Sequence, residues 1–124
     1  MDFAAKLHKS ARNDASAMPA RTVFEMATLG GARALGMADR IGSLEPGKLA
    51  DVVLIETRTP ALTPRYDPYS LLVYAVKGGD VRTVLVDGQV LVRDRRFMRA
   101  DAEQVMQRAR EIQARIRAGL APPH

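Results

Sequence analysis

The chain has no cysteine and no tryptophan. Without cysteine there is no disulfide, no thiolate nucleophile and no Cys-based zinc site. That absence fits a reducing cytoplasm, the compartment expected for this chain. Histidine is scarce: His8 and His124 are the two present. A metal site needs three or four converging ligands. No H-x-H or H-E-x-x-H spacing supplies them. Aromatics are 5% of residues, so packing must rest on Leu, Val, Ile, Met and Ala. No apolar run nears the roughly 18 residues of a membrane span. Residues Met1–Ser10 carry no apolar stretch of the kind that marks a signal peptide.

What is present is a basic chain of 124 residues with net charge +5. That length suits one domain or part of one. It is too short for a (β/α)8 barrel, which takes about 250 residues. Eight arginines face four acids between Arg93 and Arg117. A solvated Arg-rich helix surface explains them. No aromatic follows Phe97 to stack bases, so a nucleic-acid partner is not expected.

Apolar spacing predicts a helix over Phe3–Ser10, broken at Asn13-Asp14. Pro19 suits the first turn of a second helix, which runs through Val23, Phe24 and Ala34 and stops near Gly36. Gly30-Gly31 inside it predicts close packing against a neighbour. Glu45-Pro46-Gly47 fits a type II turn. Val52–Ile55 is an unbroken aliphatic run, a strand expected to be covered on both faces. Pro60 and Pro64 predict loop over Thr57–Pro64. Asp67-Pro68 begins a helix as N-cap and first residue, and Gly78-Gly79 stops it. Val81–Val86 and Gln89–Val92 flank Asp87-Gly88, a type I′ hairpin signal. Asp101 with Gln104 resembles a capping box. Val105, Ala109, Ile112 and Ile116 then stripe a final helix that Gly119 ends, with Ala121–His124 frayed.

The candidate chemical residues each have a structural explanation. His8 sits between Lys6 and Lys9, a poor setting for a metal ligand. His124 is the terminal residue. Asp51 precedes the apolar strand and is expected to hydrogen-bond a turn or strand edge rather than act as a base. Asp67, Asp87 and Asp101 are explained by caps and turns. Ser43 and Ser70 have no legible His or Lys partner, so no nucleophile is assigned. Gly30-Gly31 lacks the Lys-Ser/Thr of a P-loop.

Two segments carry a family resemblance. Met26-Ala27-Thr28-Leu29-Gly30-Gly31-Ala32-Arg33-Ala34-Leu35-Gly36 resembles the helix after the last barrel strand of amidohydrolase-superfamily enzymes. Gly42-Ser43-Leu44-Glu45-Pro46-Gly47-Lys48-Leu49-Ala50-Asp51-Val52-Val53-Leu54-Ile55 resembles the segment that opens their small C-terminal β-domain. Leu62-Thr63-Pro64, Tyr66-Asp67-Pro68, Leu71–Ala75 and Val81–Gly88 are similar to the branch of methylthioadenosine/S-adenosylhomocysteine deaminases and triazine chlorohydrolases. Phe3–Lys9 resembles the helix that precedes them.

The resemblance implies an α+β fold with no complete TIM barrel. Residues 1–38 would be barrel-end helices, 39–100 a partial β-sandwich sheet, and 101–124 a terminal helix, all in one unit. It also implies a parent that hydrolyses C–N or C–Cl bonds with a divalent metal such as zinc or iron. The family's metal ligands precede the region that Met1 matches. No catalytic, cofactor-binding or metal-binding residue is therefore expected here, and the chain alone is expected to be inactive. The family's β-domain also takes strands from an N-terminal segment. Their absence predicts a homo-oligomer or association with the missing N-terminal portion. The alternative is a freestanding truncated module that binds itself or another protein without catalysis.

Overall fold

A computed structural model describes residues 1–119. The order is α1 (Asp2–Arg12), α2 (Ala20–Glu25), a π-helical turn (Met26–Gly30), α3 (Gly31–Ala34), β1 (Val52–Ile55), a 3-10 turn (Pro60–Leu62) and α4 (Pro68–Ser70). A second π-helical turn (Leu71–Ala75), a 3-10 turn (Gly78–Asp80), β2 (Val81–Val86), β3 (Gln89–Arg93), β4 (Arg96–Phe97) and α5 (Ala102–Gly119) follow. The fold is mixed α+β, with a small open sheet and flanking helices and no closed barrel. His124 and the expected fraying of Ala121–His124 lie outside the described residues.

The helices make the one dense region. Ala5 of α1, Val23 of α2 and Val73 of the second π turn bury one another, with Phe24, Met18 and Tyr74 packed around them. Phe24 meets Tyr69 edge-on at 5.5 Å, and Arg21 lies 5.5 Å from the same ring, which joins α2 to α4. Such contacts add to plain burial through the ring quadrupole. Asn13 ends α1 in the left-handed region, where the sequence places the break.

Three helix expectations change. Pro19 is the N-cap of α2 rather than its first helical residue, since its extended backbone (ψ 151°) turns the chain inward one step later. The stretch from Ala20 to Ala34 is not a plain α-helix but holds a π turn at Met26–Gly30. Gly30-Gly31 meets no neighbouring element. A Cβ on Gly30 would stand 3.1 Å from the Glu25 carbonyl of its own helix. The glycine makes room for the wide turn, not for a partner. Gly36 then closes the helix as expected: its N–H bonds Arg33 O, and the Met37 N–H bonds Ala32 O at 2.8 Å. That pair of bonds is the Schellman stop.

The close approach belongs to Gly42. At φ +92° it rests against α3 and the π turn, where a Cβ would lie 2.8 Å from Ala32 Cβ and 3.1 Å from Leu29 Cα. Small residues on the helix and no side chain on the loop let two backbones meet.

The sheet is an antiparallel meander, β1-β2-β3-β4. Asp87 (φ 50°) and Gly88 (φ 72°) make the expected type I′ turn between β2 and β3. A second hairpin was not legible: Asp94 and Arg95 (φ 47° and 65°) turn β3 into β4 without a glycine. Arg95 is held there by N–H donation to Arg82 O at 3.0 Å and by its guanidinium on Gly79 O.

Cover for β1 is the main departure. No residue of the four strands is buried, and adjacent Val53 and Leu54, which point to opposite faces, are 53% and 51% exposed. The expected cover on both faces is not provided by the described residues. The main helix contacts stay among helices and the main sheet contacts within the sheet.

Smaller differences are local. Pro60 begins a 3-10 turn inside the expected loop, with Leu62 buried beneath it. The helix from Pro68 ends at Ala75, before Gly78-Gly79, because Val76 turns extended (ψ 133°). Asp101 caps α5 through the N–H groups of Glu103 and Gln104. Among the described residues Gln104 returns no bond, so the cap is one-sided. Gly119 is the last described residue of α5. Every residue of α5 is exposed.

Candidate functional site

Three polar groupings stand out, and the first corrects an expectation. The type II turn at Glu45–Lys48, closed by the Lys48 N–H on Glu45 O at 3.2 Å, folds the chain back on Ser43. Lys48 Nζ then donates to Ser43 Oγ and to Ala38 O, both at 2.7 Å. Ser43 therefore does have a lysine partner. Its own hydroxyl donates to Glu45, and Lys48 lies 3.4 Å from the same carboxylate. The Ser43 hydrogen bond and the Lys48 charge hold Glu45 below the usual carboxylate range. The signal was the turn itself, which places the next residue beside the one four back from its glycine.

A serine nucleophile needs a base that takes its proton. Here Lys48 donates a hydrogen bond to Ser43, and the serine hydroxyl donates to Glu45, a carboxylate held below its usual range and so a weak base. The Lys48 side chain is 12% exposed and spans ten residues to Ala38. The grouping is a clamp. It fixes the 38–48 loop whose Gly42 rests on the helix.

Asp51 has the structural role expected. Its Oδ1 accepts the Asp87 N–H at 2.8 Å, and Gly88 N donates to Ala50 O at 3.1 Å. The start of β1 is thereby pinned to the hairpin turn. Asp67 caps α4 by accepting the Ser70 N–H at 2.7 Å, and bonding from Ser70 lowers its pKa.

The second grouping centres on Arg82, which bonds Asp94 at 2.6 Å and approaches Glu56 at 3.6 Å. The Arg82 hydrogen bond and charge hold Asp94 below its usual range, and Asp94 raises Arg82 in turn. This ties the β3–β4 turn to β2. The third is an open groove of about 630 Å³ lined by Thr57, Arg58, Thr59, Pro60, Thr63 and Arg65. Arg65 donates to Thr57 Oγ1 across it at 3.0 Å.

No three side chains of His, Asp or Glu converge among the described residues. His8 is exposed on α1. Asp14, Asp51, Asp67, Asp94 and Asp101 each accept a hydrogen bond from a turn, cap or arginine. A zinc or iron ion needs three or four ligands that converge, and among the described residues these carboxylates do not. The donor set of residues 1–119 does not fit a catalytic metal.

Comparison with known proteins gives a consistent result. The chain matches the amidohydrolase family over residues 1–91. It is 50% identical over 117 residues to the 5-methylthioadenosine/S-adenosylhomocysteine deaminase of Syntrophobacter fumaroxidans, covering 94% of this chain and 27% of that one. It superposes on a zinc-bound adenosine deaminase of Xanthomonas campestris with a TM-score of 0.90 at 39% identity, over 94% of this chain and 27% of that one. The zinc-complexed atrazine chlorohydrolase of Arthrobacter aurescens gives a TM-score of 0.74 at 28% identity, over 90% and 26%. The chain thus spans little more than a quarter of the length of these proteins.

Proposed function

This chain belongs to the amidohydrolase family, and from that premise we propose that it is a C-terminal structural portion of a metal-dependent hydrolase. The whole enzyme would act on C–N bonds of a purine-like ring, in the manner of a deaminase, or on C–Cl bonds of a triazine. The chain contributes scaffold: barrel-end helices over residues 1–38, β-domain strands over 39–100 and a terminal helix from 101. It supplies no catalytic or metal-binding residue, so no chemical step runs through it.

The observation that carries this reading is the sheet in which no strand residue is buried. A protein that ends its sheet with both faces open has left out a layer. The donor set supports it from the chemical side.

A chimera tests it. This chain would replace the segment it matches in the Xanthomonas campestris deaminase. The chimera is expected to fold, hold zinc and deaminate, while this chain alone neither holds zinc nor deaminates. About one tightly held zinc per isolated chain, or turnover by it, would overturn the proposal.

A second reading is a freestanding module that self-associates without catalysis. The exposed stripe of α5 favours it: Val105, Ile112 and Ile116 are all open to solvent. A stable dimer mass for the pure chain, with a chimera that fails to fold, would select it.

A further inference from the structure

The groove over residues 57–65 has a one-sided chemistry. Arginines and threonines wall it, and no carboxylate does. Among the described residues neither Arg58 nor Arg65 has a carboxylate partner. The nearest acid in sequence, Glu56, is already engaged. One of its oxygens accepts the Arg58 backbone N–H at 2.9 Å, and the other lies 3.6 Å from Arg82, in a separate hollow. Guanidinium charge left unanswered in a concave wall concentrates positive potential there.

The walls are held in place before anything binds. Arg65 Nη1 donates to Thr57 Oγ1 at 3.0 Å across the groove, and Thr63 Oγ1 donates to Thr59 O at 2.9 Å. Leu62 is buried beneath the 3-10 turn and anchors it. A wall prepared in this way loses little conformational freedom on binding.

Donors remain unspent. A guanidinium carries several N–H groups in a fixed fork, so the Thr57 bond leaves Arg65 with others to give. The Arg58 side chain bonds no other described residue. The Thr59 hydroxyl oxygen is buried and has no hydrogen-bond partner among the described residues. Native structures leave few such groups unpaired.

A ligand for this wall must be rich in acceptors and negatively charged. A phosphate dianion meets both demands, and arginine forks bind it in bidentate fashion. A lone carboxylate brings half the charge. At about 630 Å³ the groove has the size of a small-molecule site rather than that of a bare ion.

We propose that residues 57–65 form a binding site for a small phosphate monoester, with Arg58 and Arg65 on the phosphate and threonine hydroxyls beside it. The proposal goes beyond the scaffold role and does not rest on it.

Amide NMR of the full chain tests it, with ribose 5-phosphate, inorganic phosphate and acetate each titrated at constant ionic strength. Ribose 5-phosphate should give saturable shifts confined to the N–H groups of Thr57, Arg58, Thr59, Thr63 and Arg65. Inorganic phosphate should shift the same groups more weakly, and acetate should shift none. Arg58→Gln and Arg65→Gln should each weaken binding at least about fivefold, the scale of one exposed charge pair. Arg115→Gln removes the same charge from α5 and should leave the affinity unchanged. Arg58→Gln should also melt with the parent, so its loss of affinity would not be a loss of fold. Equal affinity for the ester and the free ion would overturn the ester as ligand. Shifts spread over the arginines of α5, or parental affinity in Arg58→Gln, would overturn the site itself.

Discussion

Gly42 and Gly31 place opposite demands on one helix. Gly42 sits at φ +92° with Ala32 Cβ 2.8 Å from where its own Cβ would be. Gly42→Ala should destabilise the fold by about 2–4 kcal/mol, from left-handed strain and overpacking together. Gly31 has helical backbone, and a Cβ there meets only Met26 O at 3.5 Å. Gly31→Ala should stabilise by up to about 1 kcal/mol through helix propensity. Urea titrations compare the two directly. Equal losses would mean that the loop does not rest on the helix at Gly42. Gly88→Val should cost about 1–3 kcal/mol, because φ 72° excludes a β-branched side chain. An unchanged melting temperature would show that the hairpin tolerates another turn.

The charged residues give a pH signature with a fixed sign. Glu45, Asp67 and Asp94 are all held below the usual carboxylate range. A lowered folded-state pKa contributes stability that is present above the unfolded value. That stability is lost as pH falls through the folded value. The melting temperature should therefore fall below about pH 4, the ordinary carboxylate range. Glu45 and Asp94 face solvent beside a lysine and an arginine, so added salt should shrink their share of the effect. Asp67→Asn keeps a competent cap but cannot titrate. Its melting curve should be flatter with pH than that of the parent. A steeper one would place the acid sensitivity elsewhere.

Among the elements, α5 is the least secured. Helices in proteins take most of their stability from packing of an apolar face, and none of the residues of α5 is buried. Hydrogen exchange should be much faster across residues 102–119 than across β2 and β3. Slow exchange in α5 of the free chain would reveal a partner already present. The clamp at Lys48 has its own test. Lys48→Met removes charge-assisted bonds worth about 1.5–3 kcal/mol each at most. Proteolysis between Ala38 and Lys48 should rise more than in Ser43→Ala. Equal nicking would assign the loop's order to Gly42 alone.

Elements with local chemical signals were legible in the sequence. Asp67-Pro68, Asp87-Gly88, Glu45-Pro46-Gly47 and Gly36 each name a backbone geometry that few other residues adopt, and each stands where expected. The π turns, the Asp94-Arg95 hairpin and the Ser43–Lys48 contact were not legible. Asp94 and Arg95 are driven left-handed by bonds to Arg82 and Gly79, residues 12 and 16 positions away in sequence. Ser43 and Lys48 meet through a side chain that reaches back over a turn. The apolar run of β1 called for cover, and the expected association of the chain already placed part of that cover outside it. An apolar run states that cover is needed, not that the same chain supplies it.

At the scale of the whole molecule, the helical group and the sheet share little packing. Their relative placement rests on the fastened loop between Gly36 and Leu49 and on the strand-end contact of Glu56 N with Asp80 O at 2.8 Å. The free chain in solution should thus scatter as a body more extended than a sphere of 13.6 kDa. A radius of gyration near about 14 Å, the compact value for this length, would show that α5 and the sheet fold back on the helices.

The meander order of the sheet carries a consequence in time. Strands β2, β3 and β4 are joined by two-residue turns, and such hairpins close in about 1–10 μs. β1 must instead find β2 across the intervening chain, with Val53 opposite Val84. Closing that longer loop is slower and entropically dearer. On a ribosome β1 emerges first and waits. The sheet should assemble from its later strands toward its earliest one, against the direction of synthesis. The bond of Asp51 to the Asp87 N–H is then a late event, and Asp51→Ala should hasten unfolding while leaving the refolding rate nearly unchanged.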